Sequence, residues 1–147
     1  MPALYGTQDS LVQLFGLSEL RMLVPGADDE EGQPTLDGQR IEDALARASR
    51  EADSYLAPRY AVPLAVSGDD TPEPLRSCVG DMARYHLTGG AAQCSDDIAA
   101  RYEQALGWLK SVSKGAADLL LPGSDGGDPA EDADASVQIT PGVRWWI

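Results

Sequence analysis

A chain of 147 residues is long enough for one hydrophobic core and short of two, and its 24 acidic against 11 basic residues give a net charge of −13. That balance argues against a general phosphate-binding surface, because affinity for a nucleic-acid backbone comes from cations that displace counterions, and against an anionic membrane surface. With one Phe, three Trp and five Tyr, the core falls to Leu, Ala, Val and Met, and a small helical domain is expected.

Thr7 is a plausible N-cap for a first helix in which Leu11, Leu14 and Phe15 share a face and Gly16 is the stop. A second short turn, Ser18 to Leu23, offers Leu20 and Leu23 to the same core. The stretch VPGADDEEGQPT then reads as an exposed loop, with two prolines and two glycines around Asp28, Asp29, Glu30 and Glu31.

Asp37 caps the next helix, whose stripe of Ile41, Leu45, Ala48, Ala52, Tyr55 and Leu56 steps by three or four. Its alanines invite a close neighbour. Pro58 ends it at Ala57, and Arg59 to Leu64 is expected to run out as an extended arm. Pro72 and Pro74 suit the first turn of a further helix, with Leu75, Cys78, Val79, Met82, Ala83 and His86 on one face. Gly89 and Gly90 break it. Ser95 caps the last helix, ahead of two aspartates that suit its positive end; Ile98, Tyr102, Ala105, Leu106, Leu109 and Val112 form its stripe, and Gly115 stops it.

Ala117 to Leu121 is a short apolar arm. The sequence thus divides into a helical domain over residues 1–121, an acidic flexible linker over 122–136, too poor in large apolar side chains to order itself, and a C-terminal arm over 137–147. That arm is strand-like at Val137 to Thr140 and ends on Trp145, Trp146 and Ile147. It either folds back on its own subunit or docks on a neighbour.

Chemistry-bearing patterns are sparse. No run approaches the roughly 18 apolar residues of a spanning helix, and MPALYGTQDS lacks the features of a signal peptide, so a soluble protein made in a cytoplasm is expected. Cys78 and Cys94 are expected as free thiols. His86, the only histidine, lacks companion ligands at metal-binding spacing and reads as a packed or capping residue. No nucleophile elbow, phosphate loop, zinc motif or calcium loop occurs, so neither catalysis, a metal nor a cofactor is expected. Arg59 and Tyr60 have two readings: they close the helix, Arg59 pairing an acid, or they anchor a partner, since Arg and Tyr are enriched in binding hot spots.

In chain order, Tyr5 with Thr7, LVQLFG, ASREADSYLAPRYAVPL, PLRSCVGDMARYHL and RYEQALGWLKSVSKGAADL resemble the small helical proteins of Mu-like phages and prophages. The family pattern is met by Asp53, Tyr55, Leu56, Arg59, Tyr60, Pro63 and Leu64, and later by Trp108, Leu109, Lys110 and Gly115. The resemblance covers Tyr5 to about Leu121; the acidic linker and the Trp-Trp-Ile end lie outside those motifs.

The family is similar to head-tail connector adaptors of long-tailed phages. The resemblance implies an all-α fold of about four helices with extended arms, and a homo-oligomeric ring, a dodecamer, beneath the portal protein in the virion. A stopper or tail-terminator protein would come after it, and DNA would pass through without specific binding. The expected interface residues are Arg59, Tyr60, Trp145, Trp146 and Ile147; Asp28, Asp29, Glu30 and Glu31 are expected to face the channel. The alternative is an acidic DNA mimic that inhibits a nucleic-acid-binding protein. Against it, the acids concentrate in one loop and the C-terminal linker, leaving a helical body of mixed charge.

Overall fold

A computed structural model describes residues 4–89, 94–119 and 121. The first helix, α1 (Gln8–Phe15), begins in a reciprocal cap: the Ser10 N–H donates to Thr7 Oγ1 at 3.0 Å and the Thr7 N–H to Ser10 Oγ at 2.9 Å. It ends at Gly16, whose φ of +89° turns the chain directly into α2 (Leu17–Leu23). Leu11 and Leu20 are fully buried. Leu14, expected on the core face, is 41% exposed; it lies over Gly80, where a β-carbon would stand 2.5 Å from Leu14 Cδ1. The missing side chain at Gly80 lets the two elements approach.

The expected acidic loop is a hairpin. Strands β1 (Pro25–Asp28) and β2 (Pro34–Leu36) pair antiparallel, Pro25 opposite Leu36 and Asp28 opposite Pro34. The fold is therefore mainly helical with one two-stranded sheet rather than all-α. Backbone turn chemistry accounts for it. Asp29 Oδ1 accepts the N–H groups of Glu31 and Gln33 at 3.0 and 2.7 Å, and Gly32 supplies φ +77°. The Thr35 hydroxyl donates to the Ala27 carbonyl. At the base, Asp37 N–H donates to Val24 O at 2.9 Å before Asp37 caps α3 through the Arg40 N–H.

Helix α3 (Gly38–Leu56) carries the expected stripe: Ile41, Leu45, Ala48, Ala52 and Leu56 are buried, and Ala44 and Ser49 widen it. With α4 (Glu73–Thr88) and α5 (Asp96–Ser113) it forms the body, α4 packing on both α3 and α5. Helix α4 stops at Gly89 with φ +68°, and α5 is capped by Ser95 as expected. The end of α5 is a Schellman turn: Gly115 N–H reaches Val112 O and Ala116 N–H reaches Ser111 O, at 3.1 and 2.8 Å.

The stretch from Arg59 to Leu64 is not an extended arm. Arg59 and Tyr60 N–H groups both turn back to Leu56 O, and Leu64 is buried. Its anchor is Tyr5, fully buried, whose hydroxyl donates to Asp53 Oδ1 at 2.6 Å and accepts the Leu64 N–H at 2.8 Å, while the Tyr5 N–H donates to Ser49 Oγ at 3.0 Å. One side chain thus joins the N-terminal residues, α3 and the segment after it. The short arm beyond α5 is also held, with Leu119 buried in the core. The linker and C-terminal arm, with Trp145, Trp146 and Ile147, lie outside the described residues.

Candidate assembly surfaces

Among the described residues, several polar side chains join elements. Arg84, on α4, is 8% exposed and grips Glu19 of α2 with two bonds, Nε to Oε2 at 2.6 Å and Nη2 to Oε1 at 2.8 Å. Its Nη1 reaches Asp97 of α5 at 3.4 Å, and its guanidinium lies 4.7 Å from the Phe15 ring centroid. The planar fork of arginine suits such a bidentate, ring-stacked place. Four helices meet on this residue. Sequence periodicity could not show it; the one signal was Glu19 in the first turn of a helix too short to need it.

A second junction centres on Glu51 of α3. Its carboxylate accepts the Tyr102 hydroxyl at 2.7 Å and contacts His86 Nε2 at 3.1 Å. Tyr85 and Tyr102 stack with centroids 4.0 Å apart, and His86 stands edge-on to both. Burial pushes the His86 pKa down, partly opposed by the Glu51 hydrogen bond, and burial with the bond to Glu51 pushes Tyr102 up. The packed reading of His86 describes this place. A cleft of about 500 Å³ beside it is lined by Arg47, Tyr85, His86, Thr88, Gly89, Cys94 and Ala99. Among the described residues no group of three His, Cys, Asp or Glu is placed to hold a metal ion. Cys78 is buried, its pKa pushed up to about 12 by desolvation, and both cysteines are free thiols.

The His86 shift has a sign that can be measured. Its folded pKa lies below the ordinary 6.5, so as pH falls through 6.5 the unfolded chain takes up the proton first and stability drops until the folded pKa is passed. Urea unfolding between pH 7.5 and 5.5 is expected to show this loss, and His86→Gln to flatten it. An unchanged slope in His86→Gln would assign the loss to other groups.

Arg59 and Tyr60 form a clamp on the end of α5. Arg59 Nη1 donates to the carbonyls of Val112 and Ala117 at 2.9 and 3.0 Å, Nη2 meets Asp118 Oδ1 at 2.8 Å, and the Tyr60 hydroxyl accepts the Leu119 N–H at 3.0 Å. This is the helix-closing arrangement, Arg59 paired with an acid; its side chain keeps 32% exposure toward any partner.

Three features face outward. Asp28, Asp29, Glu30 and Glu31 are all exposed at the hairpin tip, and the hairpin's main contacts with other elements are with α2 alone. The acids therefore stand off the helical body. Leu17 and Met22, 39% and 81% exposed, present apolar surface on α2, a feature sequence reading missed because one short turn has too few residues to show a face. Between α4 and α5 lies a shallow groove of about 220 Å³ lined by Pro74, Ser77, Cys78, Asp81, Gln104, Ala105 and Trp108. No helix among the described residues is long and apolar enough to cross a membrane.

The description "Bacteriophage Mu, Gp36" belongs to the family profile that matches residues 5–139. The chain is also similar to the Mu-like prophage FluMu protein gp36 of Haemophilus influenzae, 30% identical over 144 residues that cover 97% of this chain and 92% of the relative. It is similar to Gene product J of Escherichia phage Mu, 31% identical over 140 residues, covering 95% and 92% of the two chains. The similarity runs past Leu121 through the acidic linker, further than the sequence motifs reached.

Proposed function

The chain belongs to the bacteriophage Mu Gp36 family of Mu-like phages, and from that membership we propose that it is a structural protein of the virion, a head-tail connector that assembles as a homo-oligomeric ring beneath the portal. The family match over residues 5–139 carries this reading. The architecture is in keeping with it: Arg84, Glu51 and Tyr5 tie helices together, which suits a rigid ring subunit, while the hairpin stands clear of the body. A downstream stopper or tail terminator would take the other face of the ring.

The test is the mass in solution, by native mass spectrometry, of the purified protein alone and mixed with its portal. A ring that forms on the portal is the expected result. A stable monomer that ignores the portal would overturn the proposal; if it bound a host nucleic-acid enzyme, the DNA-mimic reading would replace it.

In the ring, the hairpin acids Asp28 to Glu31 line the channel and repel the DNA backbone. Such repulsion is screened within about 8 to 10 Å at ordinary salt, so it acts only near the wall. Replacing all four with Asn and Gln is expected to leave ring formation intact and to slow DNA passage or strengthen retention, measured by packaging and ejection. A ring with this hairpin on its outer rim would refute the assignment.

A further inference from the structure

The α4–α5 groove contains a carboxylate that no cation contacts directly among the described residues. Asp81 lines it, and among the described residues Asp81 makes no ion pair or hydrogen bond. The two cations nearest by field, Arg101 and Arg84, are committed elsewhere, Arg101 to Asp97 and Arg84 to Glu19 and Asp97. Desolvation pushes the Asp81 pKa up, partly opposed by the fields of Arg101 and Arg84. Beside it the half-buried Trp108 contributes an indole, and Pro74 and Ala105 contribute apolar walls. An acceptor carboxylate next to an aromatic ring and apolar surface is chemistry for a guanidinium or ammonium flanked by apolar side chains.

The chain carries one such segment outside the described residues. In residues 122–147, with five acids, the only base is Arg144, set between Val143 and the pair Trp145 and Trp146. The last described residue, Leu121, comes after a turn clamped to α3 at the C-terminal end of α5, and Trp108 lies in the latter part of that helix. Pro122 to Val143 is a span of 22 residues, and a random-coil chain of that length has an end-to-end distance of roughly 25 Å. Tethering at that range makes the local concentration of Arg144 about millimolar, far above that of any second copy in dilute solution.

We propose that in the free subunit the segment Val143–Ile147 docks in its own chain's α4–α5 groove, with Arg144 on Asp81 and against Trp108. This inference does not depend on the connector reading, since it concerns the unassembled chain.

The three tryptophan indole N–H signals of the full-length ¹⁵N-labelled chain, assigned by Trp→Phe variants, test it. Arg144→Glu is expected to shift the Trp108 signal; Asp81→Lys shifts it as well, and the double variant Asp81→Lys with Arg144→Glu returns it toward the wild-type position. Dilution leaves it in place. A Trp108 signal unmoved by Arg144→Glu would overturn the proposal. So would a double variant that shows only the two shifts added, or a wild-type signal that moves on dilution to the Arg144→Glu position, which would mean docking between copies.

Discussion

Truncating Leu109 to alanine lowers the stability of the folded chain by about 2 to 5 kcal/mol, the range for emptying a leucine site in a packed core. Leu109 is fully buried at the meeting of α5 with α3 and α4, in one cluster with Leu56, Leu75, Val79 and Val112. Leu56→Ala, equally buried at the end of α3, falls in the same range. The neighbouring Leu106 is only partly buried, so Leu106→Ala costs less and serves as the internal control. Urea unfolding monitored by circular dichroism reads all three. Equal losses for Leu106 and Leu109 would contradict the placement of the α5 stripe.

Arg84→Ala is expected to cost about 2 to 3 kcal/mol, below the full penalty of about 3 to 5 kcal/mol for breaking a buried pair, because the Glu19 side chain left behind is 34% exposed and water can reach it. Part of the loss is packing: the guanidinium covers Phe15, and the stem of an arginine buries apolar surface of its own. Arg84→Met keeps that stem-like volume and is expected to recover a share of the stability. A methionine variant as unstable as the alanine one would mean that charge alone holds the junction. A wild-type value for both would remove Arg84 from the architecture.

The long elements were legible because each carries its own punctuation. Thr7, Asp37 and Ser95 cap where local chemistry says they should, and Gly16, Gly89 and Gly115 terminate with positive φ. The hairpin was not legible, since Pro25–Asp28 and Pro34–Leu36 have neither β-branched runs nor alternation; the Asp29 side chain and Gly32 form the turn. The extended arm failed for a different reason. Pro58 does end α3, yet the path of the chain from there to Leu64 is set by Tyr5, 59 residues before Leu64, and no local pattern announces a partner that distant. The Arg84 junction was hidden likewise, its main partner Glu19 lying 65 residues away. For Arg59 and Tyr60 both of the weighed roles used the same chemistry, so only geometry could show the clamp.

That clamp fixes how the molecule carries load. Tension applied to the chain beyond Leu121 would, in an unbraced subunit, unwind α5 from its last turn, one hydrogen bond at a time. Here four side-chain bonds from Arg59 and Tyr60 cross from the end of α3 to Val112, Ala117, Asp118 and Leu119. They are loaded together, and the force passes into α3 and its buried face. The root of the C-terminal segment therefore behaves as a riveted fitting: a pull on it moves the whole body before it peels a helix.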